Sequence, residues 1–214
     1  MEYIIPKENY LTLPQNESCY EYMLQSYKRI SKDYGDDYVA FVTPVANVES
    51  AITMKRMIAD IEKLAAWFVS KGIGKGDVVT AFLPTCGHAA IAFYSCSKIG
   101  AISNFVHPLT PPNQLVEIMI HTKSKCLMLL DLFAGPFKPI TDKFLTVVCS
   151  TSDFCDGIAY KYAKGNEMQN AYYERTATTK PYMEIMGMDL PAVPTHTNPG
   201  KDDAIYIHGG GTTG

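Results

Sequence analysis

Residues 76–106 read "GDVVTAFLPTCGHAAIAFYSCSKIGAISNFV", and three pieces of different periodicity follow one another in them. "VVTAFLP" (78–84) is apolar without strict alternation, the pattern of a strand covered on both faces, as parallel strands are. "HAAIAFYSCSKIG" (88–100) has the spacing of an amphipathic helix, and Gly100 can close it. "AISNFV" (101–106) is a second short apolar strand. Strand, helix and strand within about thirty residues make a βαβ unit, whose crossover is right-handed.

The pattern continues on both sides. Upstream, Met54, Met57, Ile58, Ile61, Leu64, Ala65 and Phe68 form one stripe and predict a helix over Met54–Ser70, with Thr53 as its cap and Gly72 as its end. "GIGKGD" (72–77) is a turn. Tyr20, Met23, Leu24, Tyr27 and Ile30 predict an earlier helix over Ser18–Tyr34, stopped by Gly35. "YVAFVTPV" (38–45) then reads as a strand ending at Pro44.

Downstream, "PLTPPNQLVEIMIHT" (108–122) offers Thr110 as a helix cap and Pro111 in the first turn, where a missing N–H costs nothing. "KCLMLLD" (125–131) is a third buried strand ending at Asp131, and "FLTVVCS" (144–150) a fourth. The expected fold is therefore α/β, with a mostly parallel sheet and helices on both faces. Its expected organisation is an alternating core over 18–150, an irregular connection over 151–202, and a strand with the start of a loop over 203–214. Within the connection, "NEMQNAYYERTA" (166–177) is the helical candidate and "TNPGKDD" (197–203) the most loop-like piece.

The 214 residues are 47% hydrophobic and 11% aromatic, enough for a packed core, and carry a formal net charge of −3. That balance gives no electrostatic reason to expect a nucleic-acid partner. The start, "MEYIIPKENYLTLP", is not a secretory signal. The longest nearly uncharged stretch, Val78–Ser97, is broken by Pro84, Gly87 and His88, so no transmembrane segment is expected. Six cysteines occur without a C-x-x-C pair and read as small core residues, which suits the cytoplasm. None of the five histidines pairs with another at i, i+4 spacing, so no metal site is expected. His208, at a strand end, reads as a solvated ring before a ligand, and His107, although in the loop after a parallel strand where α/β sheets bind ligands, is not expected to act there. Tyr160, Tyr162, Tyr172, Tyr173 and Tyr182 read as packing of the connection, since basic residues do not surround them.

The remaining signal is "AIYIHGGGTTG" (204–214). A flexible tail is one reading of it, because glycine is conformationally loose. A dinucleotide fingerprint is a second, since Gly209, Gly211 and Gly214 satisfy G-x-G-x-x-G. That reading needs a following helix and an acidic residue about twenty positions on. The third is a triphosphate loop. Without Cβ atoms, successive backbone N–H groups of Gly209, Gly210 and Gly211 can turn into a concave nest, and Thr212 and Thr213 add hydroxyl donors. The Walker pattern G-x-x-x-x-G-K-S/T occurs nowhere in the chain.

"DDAIYIHGGGTTG" (202–214) resembles the start of the signature loop of the adenylate-forming superfamily, roughly S/T-S/G-G-S/T-T-G-x-P-K-G. The resemblance extends upstream in the same order. "SAITMKRMIADIEKLAAWFVSKGIGKGDVVTAFLP" (50–84) is similar to the family stretch with LTYxEL, LAxxLxxxG and GDxV elements. "IAFYSCSKIGAISNFVHPLTPPNQLVEIMIHTKSKCLMLLD" (91–131) is similar to its kaGA and P-rich helix segment, with Gly100, Ala101, Pro108 and Leu115 in the family's places. Residues 132–201 carry no such pattern. Gly209 and Gly210 depart from the more common hydroxyl residues, and the Gly209 change removes a donor from the nest.

The resemblance implies a carboxylate–CoA ligase: carboxylate and ATP give an acyl-adenylate and pyrophosphate, and a thiol then displaces AMP. An adenylation domain loading a carrier protein, or a non-catalytic binding module, are the alternatives. It implies ATP, Mg²⁺ and CoA as cofactors of the parent enzyme, a carboxylic acid as substrate, and Gly209, Gly210, Gly211, Thr212, Thr213 and Gly214 as phosphate-binding residues. It also implies that the loop lysine, the adenine-binding segment, the acyl pocket and a mobile C-terminal domain belong beyond this stretch. The chain is thus expected to be an N-terminal fragment with no catalytic residue of its own. It is expected to be inactive alone, to bind no cofactor, and to be prone to association through apolar surface at the cut.

Overall fold

Ser18 caps the first helix, its hydroxyl accepting from the Glu21 N–H while the Glu21 carboxylate accepts from the Ser18 N–H. The structure, a computed structural model, describes residues 17–45, 48–170, 173, 175–196 and 200–208. Helix α1 (Cys19–Tyr34) ends at Gly35, whose φ of 78° suits glycine. Strands β1 (Val39–Val45) and β2 (Val48–Thr53) form an antiparallel hairpin. The second of these was not expected from the sequence.

Thr53 then caps α2 (Met54–Ser70), its Oγ1 accepting from the Arg56 N–H at 3.3 Å. The expected stripe is buried except for the partly buried Ile58, and Trp67 joins it at 1% exposure. The βαβ unit follows as β3 (Val78–Phe82), α3 (Gly87–Ile99) and β4 (Ile102–Phe105). Next come α4 (Pro112–His121), β5 (Ser124–Leu130), the short α5 (Asp131–Ala134) and α6 (Lys138–Thr141), and β6 (Leu145–Cys149). Helix α4 starts one residue later than expected: Pro111 is the cap and makes no side-chain cap bond, and Pro112 takes the first turn. Asp131 lies just past β5 as the first residue of α5.

The stretch 151–202, read as an irregular connection, carries a 3₁₀ turn (Thr151–Phe154), α7 (Gly157–Asn170), β7 (Thr179–Pro181) and α8 (Tyr182–Met186). The helix falls earlier than "NEMQNAYYERTA" because "GIAYKYAKGNEMQN" presents no apolar stripe for periodicity to find. Strand β8 (Ile205–Ile207) is last.

Six strands form one parallel sheet in the order β7-β6-β5-β3-β4-β8. Every residue of β3 is buried, as a strand covered on both faces requires. Val79, Ala81, Cys126, Met128, Val147 and Cys149 point to the face covered by α1, α2, α3 and α8. Phe82, Leu127, Leu129 and Val148 point to the opposite face, where Leu115 and Met119 of α4 and Ile140 of α6 cover them. Each fully buried Leu or Ile of this kind stabilises by about 1.5–3 kcal/mol. Among the described residues no helix is long and apolar enough to cross a membrane.

Gly100 closes α3 in the left-handed region at φ 72°. A Cβ there would lie 2.8 Å from the His196 ring, whose backbone N–H donates to the Lys98 carbonyl at 2.7 Å. Gly100→Ala therefore adds backbone strain to a clash, and is expected to cost about 2 kcal/mol in urea unfolding. A loss below about 0.5 kcal/mol would show that the 190–196 segment yields freely.

Candidate functional site

The chain leaves β3 for α3 on one face of the sheet and leaves β4 for α4 on the other. Divergent connections open a crevice at the carboxyl ends of neighbouring parallel strands, where α/β sheets bind ligands. Strand β8 pairs with β4 over Ser103↔Ile205 to Phe105↔Ile207, and so brings His208 to that crevice.

His208 is exposed, but its Nε2 lies 2.7 Å from Oδ1 of Asn104, which is wholly buried. Asn104 Nδ2 donates to Thr80 Oγ1 at 2.9 Å. The amide oxygen is thereby the acceptor for His208, and the Nε2 position of the ring carries the proton. Thr80 continues to Ser124 at 2.6 Å, and Ser124 to Thr122 at 2.8 Å. A line of buried polar side chains thus crosses β4, β3 and β5 and ends at the strand-end histidine. The solvated ring expected at position 208 is anchored, not free. Gly209, Gly210, Gly211, Thr212, Thr213 and Gly214 lie outside the described residues.

Further along the same carboxyl edge, a cavity of about 850 Å³ sits over β5, β6 and β7. Asp131, Ser150 and Pro181 reach it from the strand ends, and Tyr160, Tyr173 and Tyr182 line it. Tyr182 is fully buried and donates to Asp60 Oδ2 at 2.8 Å, and Arg56 pairs with the same carboxylate at 3.1 Å. Burial pushes the Asp60 carboxyl up, against the charge of Arg56 and the Tyr182 hydrogen bond. Glu184 is held below its ordinary value by its hydrogen bond with Lys180 and by the Arg175 charge. The tyrosines expected only to pack the connection instead wall this cavity, except Tyr172, which lies outside the described residues, and Tyr162, which is half exposed.

His107 is exposed, its Nδ1 accepting from the Leu109 N–H at 3.1 Å within a turn. Among the described residues no three His, Cys, Asp or Glu side chains are grouped to hold a metal ion. Sequence reasoning missed Asn104, Thr80 and Asp60. Their partners are 104, 24 and 122 residues away, and no local pattern marks them.

The fold and this edge define an α/β protein of the class that binds ligands beyond the carboxyl ends of a parallel sheet. More particularly, the chain belongs to the AMP-binding enzyme family, whose profile matches residues 28–214. It is 29% identical over 102 residues to the mitochondrial acyl-CoA synthetase short-chain family member 3 of Bos taurus, covering 47% of this chain and 15% of that protein. It is 33% identical over 86 residues to an acetyl-coenzyme A synthetase of Shewanella frigidimarina, covering 40% and 13% respectively. The chain thus spans about a seventh of the length of these relatives. Among solved structures, a complex of VinN with 3-methylaspartate shares the fold with a TM-score of 0.55 at 14% identity, covering 91% of this chain and 45% of that one.

Proposed function

We propose that this sequence contributes the opening strands and the phosphate loop of an ATP-dependent carboxylate–CoA ligase. In the first step a carboxylate oxygen attacks the α-phosphorus of ATP, forming an acyl-adenylate as pyrophosphate leaves. In the second the CoA thiol attacks the acyl carbon and AMP leaves. The observation that carries the reading is the seat of β8: it lies beside β4 with His208 anchored at the crevice, one residue before the run "GGGTTG". The acyl- and acetyl-CoA synthetase names of the relatives support CoA as the thiol acceptor over a carrier protein.

In this role the amides of Gly209, Gly210 and Gly211 and the hydroxyls of Thr212 and Thr213 hold the triphosphate, with Gly214 completing the turn. Each hydroxyl bond to a charged oxygen contributes about 1.5–3 kcal/mol. A triphosphate also needs cationic compensation, yet "GGGTTG" has neither lysine nor arginine and no acidic cluster among the described residues provides for Mg²⁺. A polypeptide of these 214 residues alone is accordingly expected to give no carboxylate-dependent exchange of pyrophosphate into ATP.

The test is that exchange, measured with acetate and propionate on the full-length protein that carries this sequence. Gly211→Ala is expected to lower the rate about a hundredfold without moving the thermal unfolding midpoint. Exchange that survives Gly211→Ala unchanged would overturn the assignment of the loop, whereas exchange by the 214-residue polypeptide itself would overturn only its expected inactivity.

A further inference from the structure

The hydrogens in the polar line beneath His208 can be assigned from its far end inward. Thr122 Oγ1 donates to the Ile118 carbonyl of α4 at 2.8 Å. Its single hydrogen is used there, so Thr122 accepts from Ser124, and Ser124 in turn accepts from Thr80. Thr80 can then only accept from Asn104. That turns the amide nitrogen of Asn104 toward Thr80 and its amide oxygen toward His208. The order of donors thus fixes the amide and places a hydrogen on His208 Nε2.

The anchor is enclosed and the ring is not. Thr80 and Asn104 are wholly buried in β3 and β4, whereas His208 is exposed. Among the described residues its second ring nitrogen, Nδ1, has no partner. The segment that leaves β4 (106–110) holds no lysine or arginine, and the six residues after His208 add none. The other imidazole here, His107, is folded back on its own turn, where Nδ1 accepts from the Leu109 N–H. His208 is thus the ionisable side chain that the sheet itself holds at this crevice.

We propose that His208 is a binding residue for the β- or γ-phosphate of the nucleotide, and that Asn104 is its positioning residue. This rests on the ligase reading of the crevice. With Nε2–H given to Asn104, the neutral ring carries a lone pair at Nδ1, which repels an anionic oxygen. A proton taken up at Nδ1 makes that nitrogen a second donor, and the imidazolium forms a charge-assisted hydrogen bond to a phosphate oxygen. Nucleotide binding is therefore coupled to uptake of a proton. The imidazolium supplies part of the cationic compensation that "GGGTTG" lacks.

The neighbouring groups do not compete for that proton. β4 and β3 present Asn104 and Thr80, which do not titrate. At the opposite end of β8 the Tyr206 hydroxyl donates to Asp203 at 3.2 Å. Desolvation and the Asp203 carboxylate push that phenol up, so it stays neutral at pH 7.

The experiment is calorimetric titration of ATP, and separately of AMP, into the full-length protein that carries this sequence. It is run without carboxylate at pH 7.5, in two buffers of different ionisation enthalpy. The parent is expected to take up about half a proton or more per ATP beyond what His208→Gln takes up. His208→Gln is expected to weaken ATP binding about tenfold and to leave AMP, which lacks the β- and γ-phosphates, unchanged. His208→Arg, a permanent cation, is expected to recover ATP affinity without the proton uptake, a rescue that a packing role would not give. Asn104→Leu, checked for folding by circular dichroism, is expected to weaken ATP severalfold while AMP holds. Equal ATP affinity or equal proton uptake in the parent and His208→Gln, with exchange intact, would overturn this assignment and leave the ligase reading standing. AMP weakened as much as ATP would mark a merely structural residue and overturn it as well. A full-length protein that binds no ATP and catalyses no exchange would overturn that reading and this inference together.

Discussion

Tyr182→Ala is expected to lower the free energy of unfolding by about 4 kcal/mol, measured by urea denaturation. Tyr182 is fully buried at the start of α8, and its ring packs edge-on against His88 and Phe154. Deleting an aromatic side chain from such a site costs about 3–5 kcal/mol in transfer and cavity terms. Its hydroxyl adds a second effect, because it donates to Asp60, a carboxylate only 3% exposed. Without that donor Asp60 keeps only Arg56, and a buried charged group that loses a partner costs about 1.5–3 kcal/mol. Tyr182→Phe isolates this effect and is expected to cost about 2 kcal/mol. If the Phe variant were as unstable as the Ala variant, the ring would contribute nothing and the packing account of this wall would fail. The residue links the cavity at the sheet's edge to α2, so the same substitution is expected to loosen the carboxyl edge before the rest of the core.

The parallel core was legible because its signals are local and agree with one another. Thr53 as a cap, the Met54-to-Phe68 stripe and a left-handed Gly100 all lie within a few residues of what they determine. The largely apolar, non-alternating runs at 78–84 and 126–130 call for burial on both faces. The hairpin strand β2 was missed because "VESAIT" neither alternates polar and apolar residues nor forms an apolar run, and it passes without a turn into α2. Strand β7 has three residues, one of them Pro181, and its position is set by pairing with β6 rather than by its own composition. The site divides in the same way. The glycine-threonine run announces itself by composition, whereas the anchor that brings the chain to it, His208 on Asn104, joins residues 104 positions apart and depends on the sheet's strand order. In the sequence His88 is only a histidine without another histidine at helical spacing. Its partner, Asp153, lies 65 residues further on, in the turn after β6.

That pair makes stability depend on pH in a definite direction. Burial by itself would depress His88, but the Asp153 and Cys86 hydrogen bonds and the charges of those two groups outweigh it and raise the imidazolium to about 9, against about 6.5 in the unfolded chain. A group whose folded value lies above its unfolded one stabilises the fold fully below the unfolded value, and that contribution is lost as pH rises through the folded one. Between pH 6.5 and 9 the native state therefore holds a proton that the unfolded chain has released, and stability falls with rising pH. Over that window the loss from His88 is about 3 kcal/mol, at about 1.4 kcal/mol for each unit of pH. Cys86 works the opposite way, since its lowered thiol favours the fold as pH rises, and it trims the fall without reversing it. Urea denaturation at pH 6.5 and 9.5, with the parent compared to His88→Gln, separates His88 and the Cys86 thiol coupled to it from the other titrating groups. The parent is expected to lose stability over this range and the variant to lose much less. Parallel curves for the two proteins would mean that His88 carries no proton in the folded state, and the Asp153 contact would then be a neutral hydrogen bond.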